Sequence, residues 1–178
     1  MSYLVIGARV LLLGVFVVAL AGKLRRRAAF DEFRRSIAEL RVLPRNWSLA
    51  AALAVTAAEA AIIVLLGLPY TVLPGFGLAA VLLVVFTTGI VLALRRGQRA
   101  PCRCFGASAA PLGPAHVVRN LILTAAGVTG LIAAFAAGTA GVQPGGIAVT
   151  LAAAAVGVLI VVRLDDLVAL FAASVPTR

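Results

Sequence analysis

The chain has 178 residues, 63% of them hydrophobic and 12% charged, with a mean hydropathy of +1.13. A soluble domain is about one-quarter charged, so these values exclude a soluble globule; the long uncharged runs exclude disorder and collagen, and two cysteines are too few for a disulfide-rich scaffold. The net charge of +10 raises nucleic acid as a partner, but the basic residues gather at the ends of apolar runs, where the positive-inside rule places them, and no nucleic-acid partner is expected.

About 20 mostly apolar residues cross a hydrocarbon core of about 30 Å. Windows near that length predict spans at about 4–22, 48–66, 76–94, 117–137 and 146–162. The expectation is an all-α integral membrane protein, a single membrane domain over residues 1–178. The first window contains Arg9 and competes with a cleavable signal peptide, but no early basic cluster precedes it and basic residues follow it, so it is expected to be retained.

The connection after the first span holds Lys23, Arg25, Arg26, Arg27, Arg34, Arg35, Arg41 and Arg45. Within it Phe30, Phe33, Ile37 and Leu40 recur at helical spacing, which predicts an interfacial amphipathic helix over about 28–41. Its arginines reach lipid phosphates at about 1 kcal/mol each, and a plain surface anchor is favoured over a substrate-docking element. Leu43-Pro44 ends this helix, and Trp47 reads as an interface anchor at the entry to the second span. Glu59 falls in the middle of that span, where an ionisable group needs a partner, a proton or water. The basic residues within or at the rims of other spans are Arg9, Lys23 and Arg119, of which Arg9 lies deepest in the first span. Two readings stay open for Glu59: a buried pair that fixes helix register, and a direct role in proton handling or cofactor binding.

Between the third and fourth spans lies Arg99-Ala100-Pro101-Cys102-Arg103-Cys104-Phe105-Gly106, which contains both cysteines of the protein. A disulfide across one intervening residue needs a sharply bent backbone, and the strain makes it easier to reduce. Arg99 and Arg103 favour the thiolate, the nucleophilic form. Thiol/disulfide exchange leads, while an inert structural disulfide, two unpaired thiols and half of a metal site stay open. His116 is the only further soft ligand in reach, short of the four that close a zinc site, so no metal is expected.

His116, Arg119 and Asn120 open the fourth span as a polar collar. A lone histidine at a helix start is more often a satisfied polar residue, and such an arginine more often snorkels to headgroups. Closeness to the thiols raises both above that baseline, with His116 able to take or give a thiol proton. Gly127, Gly130 and Ala152–Ala155 are the candidate close-contact faces between helices. After the last span, Leu164, Leu167, Leu170 and Phe171 with Asp165 and Asp166 suggest a second, shorter interfacial tail.

The connections at 67–75 and 138–145 carry no charge, so the charge bias predicts a multi-pass plasma-membrane protein with the N-terminus outside and the C-terminus and basic connections in the cytoplasm. That side keeps thiols reduced, whereas oxidative maturation proceeds outside. Either the cysteine segment folds back into the bundle or the protein moves reducing equivalents outward.

Ala21-Gly22-Lys23-Leu24, Phe30 and Phe33, Leu43-Pro44, Glu59, Cys102-Arg103-Cys104-Phe105-Gly106 and Arg119-Asn120 follow one another in an order that resembles the MauE family of methylamine-utilisation membrane proteins, grouped with DoxX-like proteins. The resemblance covers most of the chain, and its distinctive part is the Cys-x-Cys-Phe-Gly motif, here with Arg103 where many relatives carry a small residue. It implies a redox-associated membrane protein with a four-helix transmembrane core, to which the fifth span is an addition at the edge. It further implies a thioredoxin-like partner and maturation of the disulfide-rich small subunit of methylamine dehydrogenase. The resulting expectation is a thiol–disulfide oxidoreductase acting through Cys102 and Cys104, with Glu59, His116, Arg119, Asn120, Lys23 and Arg103 as supporting polar or proton-handling groups. A membrane quinone is the one cofactor suggested, as electron acceptor, with Glu59 buffering protons. The alternatives are a membrane scaffold or chaperone with a structural cysteine pair, and a small proton-coupled transporter using Glu59.

Overall fold

The computed structural model describes residues 2–97, 113–136 and 143–173, with side chains as far as Leu164. Within them the chain forms six α-helices: α1 (Ser2–Leu24), α2 (Arg27–Glu39), α3 (Ser48–Gly67), α4 (Val72–Arg95), α5 (Pro114–Phe135) and α6 (Pro144–Ala173). Single 3-10 turns, Arg45–Trp47 and Pro69–Thr71, lead into α3 and α4. The protein is thus all-α, and five of its helices, all but α2, are long and apolar enough to cross a membrane.

Local chemistry sets the boundaries. Pro114 and Pro144 are the first residues of α5 and α6, and Pro74 lies in the first turn of α4, where a missing N–H leaves no helical hydrogen bond unmade. For that reason α4 begins at Val72, ahead of the window at 76–94 expected from hydropathy. Gly97 follows α4 with a φ of 70°, the left-handed conformation that glycine adopts without a Cβ penalty. α2 stops in the same manner at Arg41, whose φ of 49° is unusual for a residue with a side chain. α6 departs from expectation: it continues unbroken to Ala173, so the separate interfacial tail is instead the end of one helix, since no proline or glycine interrupts it after Val162.

α1, α3, α4 and α5 pack as a closed ring of neighbours in the order α1–α3–α4–α5, and α6 lies outside it, mainly against α1. The core is formed by Leu12, Val15 and Phe16 of α1, Ile62 and Leu66 of α3, Phe76 and Leu83 of α4 and Leu123 of α5. Apolar lipid gives helices little hydrophobic reason to associate, so close backbone approach supplies the attraction. At Gly130 of α5 a Cβ would sit 2.6 Å from the Phe76 ring and 2.9 Å from the Ala8 Cβ, so this glycine is a true contact point. Gly127 faces Leu12 and Ala80 at ordinary van der Waals distance. Of the expected alanine face on α6, Ala154 is buried while Ala152, Ala153 and Ala155 are exposed. The closest approaches of α6 instead set Gly146, Thr150, Gly157 and Val158 against Tyr3, Gly7, Leu11 and Gly14 of α1.

The bundle has two distinguishable ends. Arg96 Nη1 donates to the Arg41 carbonyl at 2.7 Å, which brings the ends of α2 and α4, and with them both basic connections, to one end. At the opposite end the Gln143 backbone N–H donates to Tyr3 Oη at 2.9 Å, and Arg9 donates to the carbonyls of Leu66 and Gly67 that close α3.

Candidate functional site

The polar residues singled out from the sequence converge on the interior of the basic end. Lys23 Nζ donates to Glu59 Oε1 at 2.6 Å, and the two side chains are 2% and 1% exposed. Helical Cα–Cβ bonds tilt toward the helix N-terminus, so a lysine in the last turn of α1 is aimed back into the bundle, toward the middle of α3. Arg9, the deepest basic residue of the first span, does not meet Glu59: leaning toward the same N-terminus from a position near it, it reaches the end of α3.

α2 closes this pair from outside. The Phe33 ring centroid lies 4.7 Å from Lys23 Nζ, a cation–π contact with the buried ammonium, and Phe33 is itself buried. Ser36, one turn on, is also buried and satisfies its hydroxyl on the Phe33 carbonyl at 2.7 Å. Phe30, Ile37 and Leu40 are half-buried, so the apolar stripe of α2 faces the bundle. A signal for this was present in the sequence, in Phe33 lying on the stripe of the helix that follows Lys23, but it did not identify the contact.

On α5 the buried residues are His116, Arg119, Asn120, Leu123, Gly127, Gly130 and Ala133, one continuous face along the helix. Its lower part meets Ala8 and Leu12 of α1, an antiparallel register that carries Asn120 to the level of Ala19 and His116 to the level of Lys23. The collar therefore lies inside the ring, and Arg119, 1% exposed, does not snorkel outward. The Gly113 backbone N–H donates to His116 Nδ1 at 3.4 Å, making Nδ1 an acceptor and assigning the proton of a neutral imidazole to Nε2. The Asn120 amide, fully buried, has no hydrogen-bond partner among the described residues for either its oxygen or its nitrogen, and Glu59 Oε2 has none either. Trp47, at the mouth of α3, is exposed.

Cys102, Arg103 and Cys104 lie outside the described residues. Their segment joins Gly97, which ends α4, to Gly113, whose N–H bonds His116. Among the described residues no group of histidine, cysteine and carboxylate side chains is arranged to hold a metal ion.

Five membrane-length helices, a ring of four of them and an ion pair enclosed at one end define a multi-pass membrane protein with a buried polar site. The family model described as "Methylamine utilisation protein MauE" matches residues 1–134. The methylamine utilization protein MauE of Paracoccus denitrificans is 36% identical over 131 residues, covering 71% of this chain and 69% of that protein. The chain belongs to the MauE family. The match to the family model ends within the last turn of α5, leaving α6 beyond it. No solved structure matches the chain.

Proposed function

We propose that the protein is a membrane thiol–disulfide exchange protein whose working pair is Cys102 and Cys104. The observation that carries this reading is the buried collar of His116, Arg119 and Asn120 in the opening turns of the helix that follows the cysteine segment, at the end of the bundle that also encloses Lys23–Glu59. Family membership supports the redox association, as does the density of positive charge around the thiols, Arg99 and Arg103 included.

Exchange balances without an outside reagent. A thiolate of one protein attacks the disulfide of the other, a mixed disulfide forms, and the second thiolate resolves it, so one dithiol is oxidised as one disulfide is reduced. His116, with Nδ1 accepting the Gly113 N–H and its proton on Nε2, gives that proton to the departing thiolate, which Arg119 also stabilises. A partner protein of thioredoxin-like or disulfide-rich type supplies the other dithiol or disulfide, and maturation of such a partner, as in methylamine utilisation, is the role we assign. A membrane quinone, taking two electrons and two protons, is the acceptor we propose for re-oxidising the pair, with Glu59 handling protons.

In the bilayer, α1, α3, α4 and α5 form the transmembrane core, α6 spans at its edge and α2 lies at the interface. The charge rule faces the basic end to the cytoplasm and the N-terminus outward, whereas oxidative maturation proceeds outside, so the proposed exchange requires the pair to be reached at depth within the bundle. Labelling of the cysteines by an impermeant reagent in intact and in permeabilised cells tests this.

The test is the midpoint potential of the cysteine pair in purified protein in lipid, read by alkylation mass shift across redox buffers. A reversible two-electron transition between about −120 and −270 mV is expected. No linkage under any oxidant, or a potential below about −300 mV, overturns the reading in favour of a scaffold with inert cysteines. Cys102→Ser and Cys104→Ser should each abolish the transition, and one of the two should trap a mixed disulfide with the partner.

A further inference from the structure

A second feature of the basic end is independent of the redox reading. Between α2 and the start of α3 lies a cleft of about 710 Å³ whose lining includes Arg34, Arg35, Arg41, Arg45, Glu39 and Ser48. Arginines from α2, from the α2–α3 connection and from the turn before α3 thus surround one space. Glu39 is the one acid in the lining, and among the described residues none of the four guanidinium groups is ion-paired. Like charges repel, so this convergence is imposed by the backbone. Arg41 is held in a left-handed conformation, and its carbonyl is fixed by Arg96 Nη1 from the end of α4. Four guanidinium groups held together against a single carboxylate have the chemistry of an anion seat, and guanidinium forks match phosphate oxygens in pairs.

The surroundings choose among anions. Trp47 stands exposed beside the cleft, and on the outer face of α3 Leu49 and Leu53 follow it one turn apart, also exposed. This is the apolar surface that acyl chains cover in a bilayer, and it runs away from the cleft along the same helix. We propose that the cleft is a site for the phosphate headgroup of an anionic phospholipid, whose acyl chains lie along Leu49 and Leu53. The site differs from the general attraction between basic loops and an acidic leaflet in being saturable and in depending on these arginines and not merely on net charge.

Native mass spectrometry and lipid titration of the full chain in phosphatidylcholine discs doped with phosphatidylglycerol test the assignment. Wild type should retain one phosphatidylglycerol saturably. Arg34→Gln/Arg45→Gln should bind it at least about tenfold more weakly, whereas Arg25→Gln/Arg26→Gln, with the same net charge but outside the cleft, should stay within about twofold of wild type. Equal losses in both double variants would mean a diffuse field and overturn the site. So would equal retention of phosphatidylcholine, and so would displacement by millimolar inorganic phosphate, which would make it a seat for soluble anions. Unchanged helical circular dichroism in the glutamine variants keeps a loss of binding from being a loss of fold.

Discussion

Arg9 and Lys23 stand near opposite ends of α1, and the bundle uses them in opposite ways. Arg9 is half-buried and gives its donors to backbone carbonyls of Leu66 and Gly67, which the end of α3 leaves without helical partners. Lys23 is buried and gives its charge to Glu59 in the middle of α3. One rule produces both outcomes. Side chains lean toward the helix N-terminus, so near the start of α1 a long cation is carried out toward the rim, and near its end the same lean carries it inward. The end with Arg9 can therefore pack its interior with Leu12, Phe76 and Gly130, while the end with Lys23 encloses polar groups.

The largest effect should come from breaking the enclosed pair. Lys23→Met or Glu59→Leu alone leaves one charge buried without its counterpart and should cost about 3–5 kcal/mol, measured by reversible unfolding in mixed micelles. The double variant should recover most of that loss, because a well-packed apolar pair avoids both desolvation penalties. If the folded double variant also keeps redox exchange, the pair serves as a register pin; if it folds but loses exchange, Glu59 takes part in the chemistry.

The apolar end offers the next largest effect. Gly130→Ala places a methyl group 2.6 Å from the Phe76 ring, so the helices must separate or the ring must turn, at about 1–3 kcal/mol. The same change at Gly127, where the nearest atom is 3.6 Å away, should be nearly neutral, which makes the two glycines an internal control. Arg9→Gln should cost less again, about 1 kcal/mol, because glutamine keeps at most one donor for the two α3 carbonyls and loses the favourable charge at that part-exposed helix end. A loss at Arg9 as large as that at Lys23 would erase the contrast between the two ends.

The sequence made the helices legible and left their registry unread. Runs near 20 apolar residues located the five long helices because the bilayer imposes that length, and the stripe of Phe30, Phe33, Ile37 and Leu40 located α2 because helical periodicity is local. Which cation meets Glu59 depends on how two helices slide past one another, and apolar segments carry no mark of that, so Arg9, Lys23 and Arg119 were all open and depth in the span pointed to Arg9, whereas the partner is Lys23. The α1–α6 contact went unread for a related reason. Gly7 and Gly14 are ordinary in so small-residue-rich a chain until Thr150 and Val158 are seen against them. The collar was legible as a group, since His116, Arg119 and Asn120 follow the helix period, but their burial depends on the ring, and only the ring turns an expected snorkelling arginine inward.

The smallest change in stability, and the most informative about the polar end, should come from Asn120. Its amide is fully buried with no hydrogen-bond partner among the described residues for either polar atom, a situation that normally costs a protein about 1–3 kcal/mol. Asn120→Leu removes that burden at similar volume and should leave stability unchanged within about 1 kcal/mol, or raise it. A purely structural amide would then be dispensable, and exchange by the cysteine pair would continue at the wild-type rate. Under the proposed exchange function the expected result is different: a stable variant whose exchange slows, because the buried amide would then be kept, at a cost to stability, for a partner that arrives during the reaction. Loss of stability in Asn120→Leu would instead mean that the amide is bonded in the folded protein, and the polar end would be a structural network like the carbonyl cap at Arg9.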